Sequence, residues 1–245
     1  RGAFSQVVLL PDSVIAMRDP LGVRPLCIGE YGDGWVVASE SCALDHIGAR
    51  FVRELDPGGA IQINGEGWKT IHREQEKKSA LCVFEFIYFA RPDSILGGQM
   101  VHGARQEMGR QLALEHPVEA DVVIGIPDSA TAAGIGYAQE SGIPYQEGLV
   151  KNRYVGRTFI EPDQRLRDLG VRLKFNPLPN VLNGKRVVVV DDSIVRGTTT
   201  PYVVSLLRKA GATEIHLRVC APPIISPCHF GVDMSVRSEL LAARM

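Results

Sequence analysis

Along its first 75 residues the chain alternates short apolar runs with turn residues. AFSQVVLL, SVIAMRD, RPLCIGEYG, GWVVAS, FVRELDPGGAIQI and GWKTIH are punctuated by Gly, Pro and Asp. Runs of this length bounded by breakers predict short strands and tight turns, hence an antiparallel β-rich or α+β unit. From about residue 80 the period changes. VHGARQEMGRQLALEH predicts an amphipathic helix over 101–116, ended by Pro117, and ATAAGIGYAQES a helix of small residues; ADVVIGIP, RVVVVDD and ATEIHLRVC predict strands. Strands alternating with helices imply a parallel sheet, so this half is α/β. The charged stretch REQEKKS, 73–79, is the expected linker, dividing the chain into 1–75 and 80–245.

The densest chemistry lies in VVVVDDSIVRGTTT, residues 187–200. Four β-branched residues, Val187 to Val190, suit a central parallel strand covered by helices on both faces. Asp191 and Asp192 then stand at its carboxyl end, where ligands bind in open α/β sheets. Two carboxylates about 4 Å apart repel by roughly 4 kcal/mol at an effective dielectric near 20. Hydroxyl donors, a cation or Arg196 must oppose that charge, and a ribose diol with Mg²⁺ would supply the first two. Ser193, Arg196, Gly197, Thr198 and Thr199 form a loop opening a helix, with Gly197 allowing close backbone approach and Pro201 fitting the first helical turn. Such a helix start favours a phosphate. The plainer reading is a capped strand-to-helix turn with a solvated acidic pair.

Composition narrows the class. The chain has 245 residues, 45% hydrophobic and 22% charged, enough for one large or two ordinary domains. A net charge of −1 argues against nucleic acid or membrane as the main partner. The apolar runs are strand-length, and five scattered cysteines do not make a disulfide scaffold, so a cytoplasmic setting is expected.

The 187–200 string resembles the fingerprint of type I phosphoribosyltransferases, which use 5-phosphoribosyl-1-pyrophosphate (PRPP). The resemblance implies that Asp191 and Asp192 hold the ribose hydroxyls and the Mg²⁺ shell, while Ser193 to Thr199 wrap the 5-phosphate. RDPLGVRPL (18–26), ASES (38–41), FIYFARPDS (86–94), KNRYVGRTFI (151–160) and GVRLKFNPL (170–178) extend it to the glutamine PRPP amidotransferase family. That family implies the back part of an N-terminal-nucleophile glutaminase domain over 1–75, then a phosphoribosyltransferase parallel-sheet domain over 80–245, truncated at its C-terminal end. Ammonia from glutamine would displace pyrophosphate from PRPP to give 5-phosphoribosylamine, the committed step of purine synthesis. Asp128 and Ser129, after the strand VVIGI, would meet the diphosphate, with Ser129 joining Asp191 and Asp192 around Mg²⁺; taken alone, they read as an ordinary helix cap. Lys151, Arg153, Tyr154 and Arg157 resemble the family's lid over PRPP, where a basic run otherwise marks a solvated face. The family also implies purine nucleotides as feedback inhibitors and a tetramer.

Some members carry a [4Fe–4S] cluster, and Cys82 and Cys228 match two of its four ligands. The other two would come from a later C-x-x-C segment; the alternative is a pair of buried thiols, the expected state of Cys27, Cys42 and Cys220. The glutaminase nucleophile is an N-terminal cysteine in this family. Both ends of the chain read as cuts, and no cysteine here takes that role. Two other readings fit 187–200: a salvage phosphoribosyltransferase with a base as acceptor, and a regulator that senses PRPP without chemistry. The first leaves the β-rich half and KNRYVGRTF unexplained; the second calls for a basic DNA-binding face, of which the charge balance gives no sign.

Overall fold

In a computed structural model, described for residues 2–72, 79–152, 154, 174–234 and 236–244, the chain forms two compact units. The first comprises Arg1–Ala104 with Cys228–Asp233, the second Arg105–Pro227 with Met234–Met245.

The first unit is antiparallel, as the turn-punctuated pattern predicts. Strands Ser5–Leu9, Val14–Arg18, Ala60–Asn64 and Gly67–His72 form a four-stranded sheet in that order. Gly34–Ala38, Cys27–Tyr31 and Arg50–Glu54 form a three-stranded one. FVRELDPGGAIQI therefore supplies two strands to two sheets, because the chain turns at Pro57 and at Gly58, whose φ is 69°. Alternate residues Ala16, Ile61 and Ile63 of one sheet and Ile28 of the other meet in a shared core with Leu26 and Leu55. Trp35 and Trp68 close it edge to face, centroids 6.2 Å apart. The helix Ser41–His46 was not expected, since six residues are too few to show a helical period. Its Leu44 is fully buried and lies so close to Gly29 that a Cβ there would come within 2.8 Å of it.

The RDPLGVRPL loop is built by two buried charges. Arg18 donates to the carbonyls of Arg24 (2.7 Å), Leu55 (2.7 Å) and Gly22 (3.0 Å), while Asp19 accepts from the backbone N–H groups of Leu21 (3.0 Å) and Val23 (2.9 Å). The loop in turn accepts Ala80 N–H at Leu21 and Cys82 N–H at Val23. ASES and FARPDS also meet: the Glu40 carboxylate takes the Arg91 N–H (2.8 Å) and the Ser94 hydroxyl (2.7 Å), and Ser41 Oγ takes the Ile95 N–H. These bonds carry the first unit past the change of sequence pattern, to Ala104. Of the linker 73–79, all but Ser79 lies outside the described residues.

The second unit is centred on a parallel sheet ordered Val122–Gly125, Arg186–Asp191, Glu214–Val219. Val187 to Val190 form its central strand and are all buried. Their alternation divides the core: Val187 and Val189 face Val203 and Leu207 of helix Thr199–Lys209, whereas Val188 and Val190 face Leu112, Ala113, Ala133 and Tyr137. Those last four belong to helices Val101–Glu115 and Thr131–Ser141, which touch backbone to backbone. A Cβ on Gly109 would lie 1.8 Å from the Ala133 carbonyl oxygen, and one on Gly136 1.9 Å from that of Gln106. Among the described residues no helix is long and apolar enough to cross a membrane.

Candidate functional site

Two strand-end loops stand side by side because the first and central strands run parallel, with Gly125 paired to Val190 and Ile126 N–H bonded to the Val190 carbonyl (2.9 Å). The central strand delivers Asp191 and Asp192, 8% and 7% exposed. The first strand delivers Pro127, joined to Asp128 by a cis peptide, then Ser129. Gly125 permits the tight return, since a Cβ there would strike the Ala130 carbonyl at 2.6 Å.

Ser129 does not cap its helix. The cap position is Ala130, and the Ser129 hydroxyl instead donates to Asp192 Oδ2 across the two loops. Ser193 donates to Asp192 Oδ1 (2.5 Å), and the Asp192 N–H donates to Asp191 Oδ1 (2.9 Å). Burial, and then the adjacent Asp192 charge, push Asp191 up to about 7. Burial also raises Asp192, against the two serine hydroxyls and the fields of Arg105 and Lys174. An acidic pair held out of water with its oxygens grouped is disposed to receive a cation. Among the described residues no cage of three or more His, Cys, Asp and Glu groups exists. A metal here would need ligand and water oxygens to complete its shell.

The loop after the two aspartates leads into the next helix. Gly197 has φ 74°, a conformation that favours glycine, and a Cβ there would also push on the Leu241 side chain, whose Cδ2 would lie 2.9 Å away. The Leu241 N–H bonds to the Val195 carbonyl (2.9 Å), and Arg196 Nε donates to Glu239 (2.9 Å). Thr198, at the cap of helix Thr199–Lys209, makes no side-chain cap bond. Pro201 sits in the first helical turn, as its missing N–H predicts.

Lys151 forms an ion pair with Asp128 and ends the strand Leu149–Lys151, which pairs with Phe175–Pro177. Tyr154 is 99% exposed. Arg153 and Arg157 lie outside the described residues. Sequence reasoning missed Arg105 and Lys174. Arg105 is 3% exposed on the helix Val101–Glu115, and a buried cation facing an acidic loop far along the chain leaves no local sequence pattern. Lys174 lies in the fields of Asp191, Asp192 and Asp128, although burial and Lys151 pull its own ammonium below the ordinary lysine value.

All five cysteines are free. Cys27 and Cys42 are buried, and burial pushes Cys27 up to about 12. Cys220 is half-buried and is likewise pushed up to about 12, by burial and then by the charges of Asp192 and Asp191. Cys82 and Cys228 are partly exposed and belong to the first unit.

Residues 106–223 match the phosphoribosyl transferase domain model. The amidophosphoribosyltransferase of Archaeoglobus fulgidus is 54% identical over 242 residues, covering 99% of this chain and 53% of the relative. That of Bacillus subtilis is 51% identical over 243 residues, covering 99% and 51%. A solved structure, glutamine PRPP amidotransferase from B. subtilis complexed with ADP and GMP, superposes with a TM-score of 0.90 at 51% identity, covering 100% of this chain and 54% of that one. The chain thus spans about half the length of the curated relatives it matches. In its parallel-sheet unit, its paired strand-end loops and about half of its residues, the chain is similar over its whole length to the amidophosphoribosyltransferases.

Proposed function

We propose that this chain carries the PRPP site of an amidophosphoribosyltransferase. The observation that carries the reading is the hydroxyl of Ser129, on one strand-end loop, bonded to Asp192 on the other. In this reading residues 80–245 are the transferase domain and residues 1–75 belong to a glutaminase domain. The backbone of Ser193 to Thr199 takes the 5-phosphate, Asp191 and Asp192 the ribose side, and Asp128 and Ser129 the diphosphate side. Lys151, Arg153, Tyr154 and Arg157 cover the ligand.

Ammonia attacks C1 of the ribose, the bond from C1 to the pyrophosphate oxygen breaks, and the nitrogen loses a proton. The products are 5-phosphoribosylamine and pyrophosphate. Ser129, Asp191 and Asp192 suit Mg²⁺, because hard oxygen donors converge there with too little protein coordination to fill an octahedron. Bound there, Mg²⁺ spreads the charge of the leaving diphosphate. Exclusion of water keeps it from competing with ammonia.

Cys82 and Cys228 suit two ligands of a [4Fe–4S] cluster: both are partly exposed free thiols of the first unit, and Cys228 Sγ already accepts the Phe230 N–H at 3.3 Å. Five free thiols accord with a reducing, cytoplasmic setting. The ADP and GMP bound by the solved relative support purine nucleotides as regulatory ligands, and the family resemblance supports a homo-oligomer.

The test is pyrophosphate release from PRPP and Mg²⁺ by the 245-residue chain. Release is expected with ammonium ions and not with glutamine, since Cys27 and Cys42 are buried within strand and helix and lack a free α-amine. A folded sample silent with ammonium would refute the assignment. Ser129→Ala is expected to raise the Kd for PRPP with Mg²⁺ about tenfold, the scale of one hydrogen bond to a charged group. Calorimetric titration checks this, and an unchanged Kd would remove Ser129 from the site.

A further inference from the structure

The loop made by RDPLGVRPL ends in a side chain that the proposed reaction does not use. Arg24 Nη1 donates to Glu85 Oε1 at 2.7 Å, and its guanidinium lies over the Phe89 ring, 4.8 Å from the centroid. Glu85 and Phe89 are the first and last residues of a π-helical turn that begins three positions after Cys82. Cys82 itself is tied to the residue before Arg24, its N–H bonding to the Val23 carbonyl at 3.0 Å. The second guanidinium nitrogen, Nη2, reaches the Phe230 carbonyl at 3.5 Å. Phe230 is also the residue whose N–H points at Cys228 Sγ.

Residues 23 and 24 therefore bond to the segments that carry Cys82 and Cys228. Arginine suits this work because one planar fork satisfies several acceptors at fixed angles. Glu85 is 5% exposed, and burial raises its carboxyl above the ordinary glutamate value, with the Arg24 hydrogen bond and charge opposing that rise.

We propose that Arg24 is the positioning residue for Cys228, fixing the Phe230 carbonyl and thereby holding Cys228–Asp233 on the same loop that holds the Cys82 segment. The clamp depends on the iron–sulfur reading only for the use made of the thiol. A hydrogen bond to a ligating sulfur is one of the protein's means of tuning a cluster's potential. Arg24 would act on that bond through the peptide of Phe230.

The experiment measures alkylation of each cysteine in the folded 245-residue chain by N-ethylmaleimide, followed by mass spectrometry of the peptides. Arg24→Met alone leaves a buried carboxylate unpaired and risks unfolding, so the test variant is Arg24→Met with Glu85→Gln, compared with Glu85→Gln alone. Losing a hydrogen bond from a charged donor should raise the Cys228 rate roughly tenfold in the double variant. Cys220 and Cys42 should be unchanged, and the Glu85→Gln chain should match the parent. Hydrogen exchange should quicken over 228–233 and not over 187–191.

An unchanged Cys228 rate in a double variant that still melts cooperatively would overturn the clamp. So would an equal rise at Cys42, which would mark general loosening. Iron and sulfide content of Cys228→Ser, in a chain extended to carry four thiolates, tests the metal reading separately. Undiminished iron there would remove the cluster from Cys228 and leave the clamp standing.

Discussion

Asp192→Asn is expected to weaken Mg²⁺-dependent PRPP binding at least ~100-fold, about 3 kcal/mol at 1.4 kcal/mol per tenfold, while the fold survives. The argument begins with burial. Asp192 is 7% exposed beside an equally buried Asp191, and its two oxygens accept from Ser129 and Ser193. A cation and a ribose diol are the partners that make two buried charges tolerable, and asparagine removes one of those charges without changing shape. Its amide nitrogen also turns one acceptor into a donor, which faces a serine hydroxyl able to rotate and accept.

The effect on stability has the opposite sign. Asp192 has its folded value raised, so the native state binds the proton more tightly than the unfolded chain. Ionisation therefore costs stability as the pH rises from the ordinary aspartate range through the raised value. The asparagine variant escapes that cost, and without ligand it should melt no lower than the parent at neutral pH and above. Titration calorimetry with PRPP and Mg²⁺, beside thermal melts, reads both quantities. Parent-like affinity would end the assignment of the acidic pair to the ligand.

Gly136→Ala is expected to destabilise the second unit by ~2–4 kcal/mol, although alanine is the better helix former by about 1 kcal/mol. The added methyl would sit 1.9 Å from the Gln106 carbonyl oxygen, which belongs to the backbone of the neighbouring helix and cannot rotate away. The helices must separate, and Gly109 against Ala133 ties them at a second point, 1.8 Å by the same measure. Helix Thr131–Ser141 follows directly on the loop carrying Ser129, so PRPP binding should fall along with stability. Gly103→Ala supplies the contrast. It changes the same residue type in the helix that carries Gln106, but its Cβ meets nothing within 4 Å, and a gain of roughly 0.5–1 kcal/mol is expected. Denaturant melts of both variants check the pair; equal shifts would show that helix propensity, not the crossing, governs Gly136.

The central strand and its two aspartates were legible in the sequence for local reasons. Four valines in a row can be satisfied only by burial on both faces, and the valines do divide between the two cores. Gly197 was legible as a residue that admits close backbone approach, to which the structure adds a positive φ, and Pro201 was legible because it lacks an N–H. Strands and helices longer than one or two periods were also readable, since hydrophobic period and breakers act within a few residues of each other. Ser41–His46 fell below that length.

What only the tertiary structure decided concerns groups far apart along the chain. Ser129 could cap a helix or serve Asp192, and the parallel register of their two strands chose the second. Arg105 and Lys174 gained their relation to the acidic pair in the same way, through burial against a loop that neither neighbours in sequence. Arg24 meets Glu85 and Phe230, in the segments of Cys82 and Cys228, two cysteines that the sequence had paired only through family resemblance. Secondary structure and turn chemistry follow from short-range sterics and from the patterning of polar groups, so the sequence by itself determined them. The charge balance of a buried site is a sum over every element packed around it, and that sum exists only once the chain has folded.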